Sequence, residues 1–111
     1  MIIASRTLTL RKDDENIEIP ISVFAPERQK PGVWECRYDV SWPEGLRSYA
    51  GYGVDSVQAL VIALGMIGAE LYSSNYHKSG NLRWDAPGNG YGFPVAPTIR
   101  DLLQGDDAKY L

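Results

Sequence analysis

The sequence predicts an α+β domain: a mainly antiparallel sheet of about four strands, in β-β-β-β-α order, packed on one long apolar helix, then a long Gly/aromatic loop and a short C-terminal helix. Three observations carry this prediction. Period-two alternation of apolar and polar residues recurs along the first half of the chain, a strongly apolar run of helical spacing follows Asp55, and beyond Ser73 the texture turns to glycine, asparagine and aromatics.

The first alternation starts at Arg6, with Leu8 and Leu10 on one parity and Thr7, Thr9 and Arg11 on the other, the period a half-buried strand requires. Lys12 to Asn16 supply turn chemistry, and Ile17, Ile19, Ile21 and Val23 then alternate with Glu18, Pro20 and Ser22, predicting a hairpin. Pro20 has no N–H for a ladder, so it belongs at a bulge or where the missing donor faces away from a partner. Ala25 to Gly32 holds Pro26 and Pro31 around charged residues and reads as a surface loop. The third strand places Trp34, Cys36, Tyr38, Val40 and Trp42 on one face and Glu35, Arg37, Asp39 and Ser41 on the other. Pro43-Glu44-Gly45 is a tight turn, after which Leu46 to Tyr52 returns, with Leu46, Ser48, Ala50 and Tyr52 opposing Arg47 and Tyr49.

Asp55 can cap the N–H of Gln58 while the Gln58 side chain reaches back, which starts a helix running to about Tyr72. Val57, Leu60, Val61, Leu64, Ile67 and Leu71 form its stripe, and Ile62, Ala63, Met66 and Ala69 make the remaining circumference apolar too. Such a helix needs cover on a second face. Ile62, Ala63, Met66 and Ala69 are therefore candidate oligomer-interface residues, a dimer being favoured; the alternative cover is the terminal segment Val95 to Leu103. The loop from Ser74 to Pro94 is long for a compact domain and so a candidate functional segment. A short strand is expected around Leu82-Arg83-Trp84, and Pro97 to Leu103 reads as a brief helix with proline in its first turn. Residues 1–104 are expected to form one domain and 105–111 a polar tail that frays.

The 111 residues are 44% hydrophobic and 23% charged with a net charge of −3, which suits one folded domain. The eleven Lys and Arg residues are scattered, and a nucleic-acid partner is not expected without a basic stripe. The longest nearly apolar run, Val57 to Ala69, falls short of the ~20 residues a bilayer span needs, so no membrane segment is expected. One cysteine and no leader-like start point to the cytoplasm.

Cys36 and His77 are the sole members of their types, and Cys36 sits on the core parity, where a thiol behaves as a small hydrophobe. The inventory is too thin for a metal site, and no cofactor is expected. Glu35, Arg37, Asp39 and Arg47 look like an ordinary charged sheet face. The better site candidate is Arg83, Trp84, Asp85, Tyr91 and Phe93 on the glycine-hinged loop, joined by His77: aromatics with a fixed cation and carboxylate make good partner anchors. The competing reading has Trp84 and Phe93 closing the open end of the core.

Gly53-Val54-Asp55-Ser56-Val57-Gln58-Ala59-Leu60 and Leu82-Arg83-Trp84-Asp85-Ala86-Pro87-Gly88-Asn89-Gly90-Tyr91-Gly92-Phe93-Pro94 resemble a family of small bacterial domains of unknown function. The helix opening is also similar to that of immunity-type proteins of bacterial toxin systems. Neither resemblance implies a catalytic residue. The expected function is that of a non-enzymatic binding or interaction protein, immunity-like by that second resemblance, using the Gly/aromatic loop as its contact surface for a protein partner. The alternative is a small-ligand domain or enzyme, with a pocket between the helix and Trp34, Tyr38 and Trp42 and with His77 or Asp85 as proton carrier.

Overall fold

The structure, a computed structural model, describes residues 1–111 apart from the side chains of Pro97 and Thr98. The alternating segments become strands β1 (Ile2–Lys12), β2 (Glu15–Phe24), β3 (Glu27–Lys30), β4 (Val33–Trp42) and β5 (Gly45–Gly53). Helices α1 (Ser56–Ser73) and α2 (Asn75–Lys78), strand β6 (Leu82–Arg83), a 3-10 helix at Pro97–Leu102 and helix α3 (Asp106–Tyr110) follow. All strands pair antiparallel: β6 lies beside β1, β1 beside β2, and β2 and β3 share one side of β4, whose other side takes β5.

The sheet thus has six strands where alternation predicts four. Glu27–Lys30, in the expected loop, pairs with Val33–Glu35 of β4. All four of its residues are exposed, so no apolar alternation marks it. The two-residue β6 is too short to display a period. Asp13 and Asp14 form the turn from β1 to β2 with φ of 51° and 63°, the left-handed pair that a two-residue hairpin favours. Pro20 lies opposite Thr7 on β1 and just before the β4 ladder, which spans Ile21–Val23, so its missing donor breaks no bond there.

One sheet face is apolar and covered. Leu8, Leu10, Ile19, Ile21, Val23, Cys36, Tyr38, Val40 and Trp42 are buried with Ala59, Ala63, Ile67 and Leu71 of α1. The fifth strand contributes no large side chain beneath the helix. Gly51 stands opposite Cys36, and a Cβ there would lie 2.5 Å from the backbone nitrogen of Ala63, so glycine on the strand and alanine on the helix let the two backbones approach closely. Leu46 and Tyr52, on the opposite parity from Gly51, lie on the open face, 62% and 55% exposed. On that face Asp39 accepts from the Ser48 hydroxyl and Glu35 from the Tyr52 hydroxyl at 2.8 Å, cross-strand pairs of an ordinary solvated sheet. Cys36 is fully buried and donates to the Phe24 carbonyl; burial pushes its thiol pKa up, away from thiolate reactivity.

Asp55 caps α1 by accepting from Gln58 N at 2.8 Å, and the Gln58 side chain reaches back to Val54 N at 2.7 Å. With 18 residues α1 is long and apolar enough to cross a bilayer by length and composition, yet its buried face is spent on the sheet. Ala63 is among that face, fully buried, and so is not available to an oligomer interface; at about 100° per residue it lies on the side of Ala59 and Ile67 rather than that of Ile62 and Ala69. Gly105 to Leu111 does not behave as a loose tail, because Asp107 of α3 is 2% exposed and bonded into the core.

Candidate functional site

The long loop returns from α2 to the sheet edge and then crosses α1, and two charged side chains hold it. Asp107 accepts from Tyr91 N and Gly92 N at 2.8 Å each and from the Tyr72 hydroxyl at 2.7 Å. From the opposite side Arg6 Nη1 donates to the carbonyls of Tyr91 and Gly92 at 3.0 Å. The N–H groups of residues 91 and 92 thus meet a carboxylate and their carbonyls a guanidinium. Desolvation lowers the Arg6 pKa and the Asp107 charge opposes that shift. The Arg6 guanidinium also stands 3.7 Å over the Trp84 ring and 5.2 Å from the Phe93 centroid, a cation–π arrangement. Asn89 ties α3 to the loop, accepting from Asp106 N at 3.1 Å.

Tyr72, His77 and Tyr91 pack as a triangle of rings with centroids 4.9–5.5 Å apart, and His77 Nδ1 hydrogen-bonds the Tyr91 hydroxyl. Burial lowers the His77 pKa and pushes Tyr91 up to about 12. Both are therefore neutral near pH 7.

The predicted site residues divide. His77, Arg83 and Tyr91 line one open cleft of about 370 Å³ together with Lys78, Gln104 and the loop glycines 88 and 90. Phe93 is 6% exposed and Tyr91 3%, so both belong mainly to the core; Phe93 faces Arg6 and Leu64 instead of the cleft. Trp84, 37% exposed, serves as the platform for Arg6. Asp85 is exposed on a turn with φ of 61°. Sequence reasoning missed Arg6, Tyr72 and Asp107, which organise the region; Arg6 lies in a strand, Tyr72 ends a helix and Asp107 sits in a polar terminal segment, and no spacing rule connects them.

The second face of α1 is partly covered by Pro94-Val95-Ala96. Between this strap and Val61, Ile62, Met66 and Ala69 runs an apolar groove of about 310 Å³, in which Val61 and Ile62 remain 58% and 38% exposed. Of the three aromatics expected to line a pocket with the helix, Trp34, Tyr38 and Trp42, Tyr38 is 2% exposed and taken up in packing, whereas Trp42 lines an open cavity with Glu70 and Ser73 at the end of α1. Among the described residues no three His, Cys, Asp or Glu side chains converge as a metal site.

The half-buried His77 has a stability consequence. Its folded pKa is below the ordinary 6.5, so between those values the unfolded chain binds the extra proton; the contribution is complete above about pH 6.5 and lost as pH falls through the folded pKa. Because His77 is the only histidine, the urea midpoint of the wild type should drop more than that of His77→Gln between about pH 7 and pH 5. Parallel profiles would refute this.

A family model described as Domain of unknown function (DUF6968) matches residues 4–95. No curated protein and no solved structure matches the chain. The matched span holds β1 from residue 4 onward, the other five strands, α1, the loop and the start of the strap, and the chain belongs to this family.

Proposed function

We propose that this DUF6968 protein is a non-enzymatic binding protein of the bacterial cytoplasm, which self-associates as a dimer through the second face of α1 and offers the loop cleft to a protein partner. The observation that carries the reading is the apolar groove. Three of the four residues singled out as interface candidates, Ile62, Met66 and Ala69, line it with Val61, and a strongly apolar surface of this kind on a soluble domain marks a contact.

The neighbouring edge supports self-association. Among the described residues strand β5 pairs with β4 alone, and its one charged residue is Arg47, with no proline, lysine or carboxylate, so its outer N–H and C=O groups offer an edge for pairing. Antiparallel pairing of β5 with its copy about a twofold axis satisfies one edge with the same edge, as an isologous dimer requires. The exposed Tyr49, Tyr52, Val57 and Val61 flank that edge and helix. The loop cleft suits an acidic segment of a partner, because the charged residues of its lining are Lys78 and Arg83.

Sedimentation equilibrium tests the first half. The wild type should be dimeric at micromolar concentration and Ile62→Lys should shift it to monomer, since burying an unpaired charge in an apolar contact costs several kcal/mol, ~3 or more. A wild type that stays monomeric at high micromolar concentration removes the dimer. For the second half, Arg83→Ala and Lys78→Ala should each reduce recovery of the captured partner; equal recovery removes the cleft as the contact.

A further inference from the structure

We infer that the cavity at the C-terminal end of α1 binds a small organic cation, a guanidinium or alkylammonium group. The inference does not rest on the self-association reading: the cavity shares no lining residue with the apolar groove, and of its lining only Arg47 belongs to β5.

The cavity holds about 480 Å³, within the range of small-molecule sites. Its frame is aromatic: Trp42 and Tyr76 stack with centroids 5.2 Å apart. Each ring system aims a carboxylate. The Trp42 indole Nε1 donates to Glu70 Oε2 at 2.7 Å, and the Tyr76 hydroxyl donates to Glu44 Oε1 at 2.7 Å. The Tyr76 bond holds the Glu44 carboxyl below the ordinary carboxylate range, so it is charged at neutral pH. These bonds come from neutral donors, leaving the negative charges uncompensated by them.

The one cation in the lining is loosely placed. Arg47 Nε is 3.8 Å from Glu70 Oε1, beyond hydrogen-bond distance, and the Arg47 side chain is half exposed. Its Nη2 donates to the Tyr49 hydroxyl instead of completing a fork on the carboxylate. Within the lining itself two carboxylates face one guanidinium, and Lys12, outside the lining, also acts on Glu44. The last turn of this 18-residue helix contains no basic residue, and its carbonyls at Glu70 and Leu71 are capped by the neutral hydroxyls of Ser73 and Ser74. A pre-oriented carboxylate pair on a rigid aromatic frame, with an acceptor on Glu70 that Arg47 approaches without bonding, selects a positively charged planar or alkyl group. In this arrangement Arg47 is a competitor for the ligand's place, not part of the recognition.

The experiment is an NMR titration of the full chain, following the Trp42 indole N–H, with agmatine, n-butylamine and a blocked Gly-Arg-Gly tripeptide. A saturable shift at millimolar or lower concentration is expected with the cations, and acetate should give none. Glu70→Gln should weaken binding about tenfold, the worth of a charged hydrogen bond, and Glu44→Gln, on an exposed turn where folding is not at stake, severalfold. Arg47→Ala should tighten it. Stronger binding of agmatine than of the tripeptide assigns a free metabolite as the source of the cation, and the reverse assigns an arginine of a protein; either supports the site. No saturable shift with any cation, affinity unchanged in both glutamate variants, or weaker binding in Arg47→Ala would overturn it.

Discussion

Asp107→Ala is expected to lower the unfolding free energy by about 3–5 kcal/mol, although only four residues follow it. The carboxylate is 2% exposed and receives the Tyr72 hydroxyl, Tyr91 N and Gly92 N within 2.8 Å. Alanine leaves these three donors facing a void too enclosed to hydrate well, and each buried unsatisfied donor costs about 1–3 kcal/mol. Asp107→Asn separates charge from geometry. It keeps one acceptor oxygen but turns an NH2 group toward donors and leaves Arg6 without its opposing charge, so a loss of about 2 kcal/mol is expected. Urea unfolding followed by tryptophan fluorescence measures both, Trp84 reporting from beside Arg6. If Asp107→Ala changed stability by less than about 0.5 kcal/mol, as surface substitutions do, α3 would be a frayed tail after all and the bonds to the loop would not matter in solution.

That same carboxylate marks where reading the sequence succeeds and where it stops. The strands that bury one face, β1, β2 and β4, announce themselves because alternation is the direct imprint of a half-buried pleat. The start of α1 is legible because Asp55 and Gln58 are a local capping pair whose bonds form within four residues of chain. What is not legible depends on distant partners. Strand β3 is held by backbone pairing alone and exposes every side chain, so composition carries no trace of it. The close fit of Gly51 to Ala63 hides the buried side of β5, because the apolar surface there belongs to the helix. Within the candidate site, His77, Arg83 and Tyr91 do converge on one cleft, yet the residues that shape it come from β1, α1 and α3. The aromatics Tyr91 and Phe93 were attractive as exposed anchors by residue type, and burial claims them because Arg6 and Asp107 draw the loop inward.

Gly65 and Gly68 sit one turn apart on α1, and replacing each by alanine should move stability in opposite directions. At Gly68 a Cβ would lie 1.9 Å from the Pro94 carbonyl oxygen and 2.9 Å from its carbon. Both are backbone atoms that no rotamer change can clear, so Gly68→Ala must lift the Pro94–Ala96 strap from the helix. Overpacking of this kind costs about 3 kcal/mol. At Gly65 the nearest atoms, Ala96 N and Val95 C, are 3.9 Å away, ordinary van der Waals contact. There the general preference of a helix interior for alanine prevails, and Gly65→Ala should stabilise by about 0.5–1 kcal/mol. Paired denaturation curves decide, with circular dichroism confirming that α1 persists in both variants. A Gly68→Ala protein as stable as the wild type would mean that the strap does not rest on the helix. In that case Val95 would no longer shield the second face of α1, and the groove beside Ile62 and Met66 would be a wider apolar surface in still greater need of a partner.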